Sequence, residues 1–122
     1  MRYVLQVYFN GAQTRLEQLP DGKRQAIVDE YVAFFQSPEV EDGNQLQPPD
    51  TATTVRVHEG ETIRTAGPFA GTREPLGGYY LVEASDIDAA VALAARIPAA
   101  RMGGAVEVRP AVEPTGYPGS EL

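Results

Sequence analysis

The residues of this chain best equipped for chemistry fall in one stretch, TAGPFAGTREPLGGYYLVEA, from Thr65 to Ala84. Arg73 and Glu74 stand side by side between two Gly/Pro turns. Arginine can clamp a carboxylate and glutamate can take or give a proton, so the pair suits a small anionic ligand, with Glu74 as candidate base and Arg73 as anchor. A loop at a sheet mouth is where such groups are placed. A solvated charge pair or an intersubunit ion pair accounts for the same two residues, and residue type leaves both readings open. Around them, Gly67 and Pro68 form either the corner that ends a strand or a close backbone approach to a ligand. Phe69 either plugs the edge of the core or lines a pocket, and Thr72 completes the loop. Tyr79 and Tyr80 are adjacent on a strand and must point to opposite sheet faces, one into the core and the other toward a dimer partner or a pocket.

Outside this stretch the chemistry thins out. The chain has one histidine and no cysteine, which excludes disulfides, thiolate catalysis and zinc-thiolate sites. Histidine is a side chain suited to acid–base work, but the sequence HEGE around His58 reads as a hairpin turn open to solvent. Asp86 and Asp88 read as helix-start carboxylates favoured by the helix dipole, not as a metal pair. No metal site and no cofactor are expected.

These side chains need a scaffold, and the pattern of the chain supplies one. RYVLQVYF, residues 2–9, alternates with period two, Tyr3, Leu5, Val7 and Phe9 on one face, as a strand with one face buried does. NGAQTRLEQLPDG reads as a loop. Ile27, Val28, Tyr31, Phe34 and Phe35 then recur at helical spacing, which predicts one amphipathic helix from Asp21 to Gln36, ended by Ser37-Pro38. EVEDGNQLQPPDTAT is rich in turn formers and reads as an ordered loop, with at most a short extended piece at Gln45 to Gln47. TTVRV and TIRT flank the His58–Glu61 turn as a hairpin. GGYYLVEA is a strand, and a second helix begins at Ser85 as N-cap with Asp88 three residues on. Its inner face is read as Ile87, Ala90, Val91, Ala94 and Ile97, with Pro98 as its stop. AVEVRP is the last strand, and VEPTGYPGSEL is a tail.

The formal net charge is −7, and the ten basic residues are scattered. A nucleic-acid backbone or an anionic membrane surface calls for clustered cations, so neither is an expected partner. No apolar run reaches the length of a membrane span, and a cytoplasmic protein is the expectation. The length fits one domain, residues 1–110, followed by a C-terminal tail, 111–122. Strand, helix, hairpin, strand, helix, strand is the order of an α+β, ferredoxin-like (βαββαβ) sheet with two helices on one face and an extra hairpin. Val4, Tyr8 and one of the two tyrosines then lie on the helix-free face, and a homodimer through that face is the economical way to cover them.

The run GPFAGTREPLGGYYLVEASDIDAAVALAARIP, with LQPPDTATTVRV before it and GAVEVRP after it, resembles the YCII-related, YciI-like proteins of the DGPF type over nearly the whole chain. The Gly-Pro-Phe turn, the charged pair before Leu-Gly-Gly, the aromatic strand and the Asp-Ile-Asp helix start occur in order. The resemblance implies a ferredoxin-like domain in a dimeric α/β-barrel-like assembly. It also implies a shared segment made by Gly67, Pro68, Phe69, Thr72, Arg73, Glu74, Gly77, Gly78 and Tyr79, and an extracytoplasmic-function sigma factor as a candidate partner. Two departures bear on activity. Ala66 stands where the tetrapeptide naming the group has aspartate, and the helix Asp21–Gln36 lacks the histidine of the acid–base pair proposed for the YciI branch. The expectation is therefore a small-molecule-binding or accessory protein. The alternatives are a weak lyase- or isomerase-like enzyme using Glu74 and Arg73, with Tyr79 or Tyr80 holding the substrate, and a purely structural dimer.

Overall fold

The computed structural model describes residues 1–69 and 75–112. β1 (Arg2–Tyr8) lies inside a four-stranded antiparallel sheet of order β2-β5-β1-β6, with β2 at Val40–Gln45, β5 at Gly78–Glu83 and β6 at Ala105–Pro110. The alternation of RYVLQVY divides this strand as expected. Tyr3, Leu5 and Val7 are buried, whereas Val4, Gln6 and Tyr8 face the other way and are only half-buried. Register carries the division across the sheet, because residues directly opposite share a face. Leu5 sits across from Tyr80 and Val108, and Gln6 across from Tyr79 and Glu107.

Three helices contribute to the core on the Leu5 face, one more than the sequence pattern predicted. α1 (Ala12–Glu17) occupies the segment read as a loop. It is a turn and a half long and has no side-chain cap, and both features hide a helix from a periodicity search. Its one buried residue is Ala12. α2 (Asp21–Phe35) keeps its expected limits: Asp21 lies in its first turn, where the dipole favours an acid, and Gln36 caps it just before Ser37-Pro38. α3 (Ile87–Ala95) is capped by Asp86, whose carboxylate accepts the Ala89 N–H at 2.8 Å, one residue later than the expected Ser85. Ala90, Leu93, Ala94 and the following Ile97 are buried, while Ile87 and Val91 are exposed. Two overlapping i, i+3, i+4 stripes were available on this helix. The one containing the larger Leu93 faces the sheet, and alanines beside it permit a close approach.

The sequence pattern, which allowed only a short extended piece at Gln45 to Gln47, does not show β2 at Val40–Gln45. VEDGNQ has no apolar alternation, and Gly43 is its one fully buried residue. Its strand character comes from backbone pairing with β5, broken by an irregularity between Val40 and Asp42. Gly43 is required by a close approach: a Cβ there would lie 2.5 Å from the Tyr80 ring and 2.7 Å from the Tyr79 carbonyl oxygen.

β3 (Thr53–His58) and β4 (Glu61–Ala66) form the expected hairpin, closed by Glu59 and Gly60 with φ of 49° and 81°. Positive φ at both turn residues matches the right-handed twist of the strands. The hairpin pairs with no strand of the sheet, and all its residues are exposed except the half-buried Thr54. The sheet is open, with β2 and β6 as its edges, and the described residues form no closed barrel. No helix among them is long and apolar enough to cross a membrane.

Candidate functional site

Phe34 is the one fully buried side chain of α2, and Tyr31, partly buried, packs against the core beside it. Phe34 packs edge-on to Tyr80, ring centroids 4.9 Å apart, with the Arg96 guanidinium 5.3 Å from its own centroid. Nearer the N-terminus of α2, the apolar face is not closed off. Val28 and Val32 stay partly exposed and, with Tyr31, border a cavity of about 230 Å³ between α2, α1 and the sheet. Val7 and Gly78 form its floor, and Phe9 and Leu16 add apolar walls. Polar side chains border it from Gln13 of α1, from Gln45 of β2, and from the tyrosines 31 and 80, while Asn44, opposite Tyr79, adds only backbone. An apolar wall with a few convergent polar groups is the usual form of a small-molecule site.

The two phenols differ in their bonding. The Tyr31 hydroxyl oxygen accepts the Ala99 backbone N–H at 3.2 Å. Burial raises the pKa of both tyrosines above 10.0; for Tyr31 the Ala99 bond opposes this, and the nearby Tyr80 adds to it. Both are therefore neutral donors at physiological pH. Every side chain bordering the cavity among the described residues is uncharged. Phe9, Gln13 and Gln45 also border a second, wider recess of about 470 Å³, which runs on past Pro48 and Pro49 to Pro75, Leu76 and Gly77 and has Glu17 on its rim.

The structure separates the residues singled out from sequence. Tyr80 faces the core and the cavity, Gly78 lies beneath it, and Tyr79 is on the opposite sheet face, so the two tyrosines divide as expected. Gly67 closes the base of the hairpin: its φ is +96°, its N–H donates to the Ala52 carbonyl at 2.7 Å, and its carbonyl accepts the Thr54 hydroxyl at 2.8 Å. It is a strand-ending corner. Phe69 is 54% exposed and so plugs no core; the Arg56 guanidinium stacks 4.8 Å from its ring centroid. With Pro68 it borders a shallow depression beside Gln6 and Tyr8, on the helix-free face. Thr72, Arg73 and Glu74 lie outside the described residues, as does the tail from residue 113.

His58 ends β3 opposite Glu61 and is exposed. Asp86 is spent on its cap. Among the described residues, no group of three His, Cys, Asp or Glu side chains could hold a metal ion. The sequence reading included Tyr31 only as part of a helical apolar stripe, and did not find Gln13, Asn44 or Gln45. A tyrosine within an otherwise aliphatic and phenylalanine stripe was the available signal, since a buried phenol must find a partner.

An α+β protein with a neutral, tyrosine-bearing cavity under its helices is the class these features define. The chain belongs to the YCII-related family: the YCII-related domain matches residues 1–114. It is also 42% identical over 67 residues to an uncharacterised protein of Rhizobium meliloti (strain 1021). That match covers 54% of each, so the chain spans about half the length of this curated relative.

Proposed function

We propose that this YCII-related protein is a small-molecule-binding accessory protein, acting as a homodimer, with its ligand in the cavity between α1, α2 and the sheet. The observation carrying the reading is that cavity: apolar side chains from both helices border it, and two tyrosines and the side-chain amides of Gln13 and Gln45 line it. A ferredoxin-like arrangement is supported by the strand order β2-β5-β1-β6, with helices following β1 and β5. The dimer is supported by the other sheet face, where Val4, Tyr8, Tyr79 and Leu81 contribute nothing to the core. Charges at the rim of this face are paired within the chain, Arg2 with Glu41 and Arg109 with Glu107. That leaves its middle uncharged, with Gln6 among Val4, Tyr8, Tyr79 and Leu81, as a face that two copies can share. Two such open sheets facing each other make the barrel-like assembly.

The test combines thermal shift with native mass spectrometry on the purified protein, against small carboxylic acids, lactones, phenols and neutral ketones. A dimer mass and a compound that raises Tm are expected. Rapid turnover of any of these compounds overturns the accessory reading. Val4→Asp is expected to weaken self-association at least about tenfold, as measured by sedimentation equilibrium. A monomer in the wild type at tens of micromolar removes the dimer.

A further inference from the structure

A tyrosine hydroxyl has one proton to donate and lone pairs to accept with. In Tyr31 the accepting side is used by the Ala99 N–H, and the proton is donated to no described residue. A hydroxyl that already accepts a bond is polarised into a better donor, and Tyr31 is one of the residues that line the cavity. The Tyr80 hydroxyl, on the same wall, bonds no described residue. The rest of the polar side-chain lining is amide: Gln13 and Gln45 offer N–H donors and carbonyl acceptors and no charge. An anion entering here meets no cation among the described wall residues to offset the water it must shed. The chain's net charge of −7 opposes it further. A purely apolar ligand forgoes the free donors.

We propose that the cavity takes a small neutral ring compound carrying a carbonyl oxygen, the ring lying among Phe9, Leu16, Val28 and Val32 and the oxygen accepting the Tyr31 hydroxyl proton. This rests on the reading of the cavity as the ligand site and specifies the class of ligand. Tyr31 selects by what it leaves unbonded: a ligand without an acceptor oxygen strands a polarised donor in an apolar enclosure.

Three probes of similar size test it, titrated into the ¹⁵N-labelled protein and followed by the amide signals of Gly78, Gln13 and Asn44: acetophenone, ethylbenzene and benzoate. Acetophenone is expected to bind about three- to tenfold more tightly than ethylbenzene, the worth of one neutral hydrogen bond, and more tightly than benzoate. In Tyr31→Phe the advantage over ethylbenzene disappears, while Tyr79→Phe, on the other sheet face, preserves it. Equal binding of acetophenone and ethylbenzene to the wild type, or an advantage that survives in a folded Tyr31→Phe protein, overturns the role of Tyr31 but leaves the cavity as the site. Benzoate binding as tightly as acetophenone overturns the neutral class. If none of the three moves these signals but another compound of the wider screen does, the ligand class falls and the site stands; if no compound does, both fall. Should Tyr31→Phe fail to fold, the wild-type ranking of the three probes decides.

Discussion

β1 with β5 and β3 with β4 are two antiparallel pairs built from similar alternating sequences, RYVLQVY and GYYLVE against TTVRVH and ETIRTA, yet they end in opposite environments. In the first pair Leu5 and Val82 are fully sealed beneath helices. In the second, Val55 and Val57 lie on one side at 58% and 69% exposure and Ile63 on the other at 45%. Alternation makes a strand; whether its apolar side is buried depends on what else folds over it. A two-stranded ribbon without a third strand or a helix is marginal by itself in water. Here it is held at its base, by the Gly67 and Thr54 hydrogen bonds and the Arg56–Phe69 stack.

The contrast sharpens or breaks under substitution. Phe34→Ala removes the one α2 side chain sealed in the core, and is expected to cost about 4 kcal/mol in urea unfolding. A loss below about 1 kcal/mol in that experiment would mean that α2 is held by something other than this contact. Gly43→Val forces a side chain into the Tyr80 ring and the neighbouring backbone, and about 2 kcal/mol of destabilisation is expected. It should also disturb cavity binding, because Tyr80 has to move.

A smaller effect is carried by pH. Burial gives Tyr31 and Tyr80 higher pKa values folded than unfolded. The stability linked to their protonation is therefore complete below the unfolded value of 10.0 and is lost as pH rises through the folded values. Urea midpoints should hold up to about pH 9 and fall above 10, with a shallower fall in Tyr80→Phe. A midpoint that climbs in that range contradicts the assignment. Least of all, Val57→Ala on the hairpin should change the unfolding free energy by no more than about 0.5 kcal/mol. A loss as large as that of a core valine would show the hairpin to be covered in solution, and would place its apolar side in an interface.

The sequence legible without a structure was the part whose pattern is local. The alternation of β1 and β5, the helical stripe of α2 with its Ser37-Pro38 stop, and the glycine-bearing hairpin turn each follow from contacts within a few residues. So does the opposite orientation of Tyr79 and Tyr80, which pleating imposes on any strand. β2 escaped because an edge strand whose largest demand is room for a neighbour's ring carries a glycine where an apolar residue would have signalled it. α1 escaped because its few residues span too little chain to show a period. The inner face of α3 was ambiguous between two stripes until a sheet chose the one with Leu93.

The cavity belongs wholly to tertiary structure. Gln13, Tyr31, Gln45 and Tyr80 come from four elements, and no spacing along the chain links them. They meet because α1, α2, β2 and β5 border one space. The chain alone settled β1, β5, β6, the hairpin, α2 and α3 as elements and the opposite orientation of the two tyrosines, through backbone sterics and hydrophobic periodicity, and left to packing which tyrosine turns inward. Packing decided which apolar faces were covered, where space was left, and which hydroxyl proton remained free, because those depend on how distant segments share one volume.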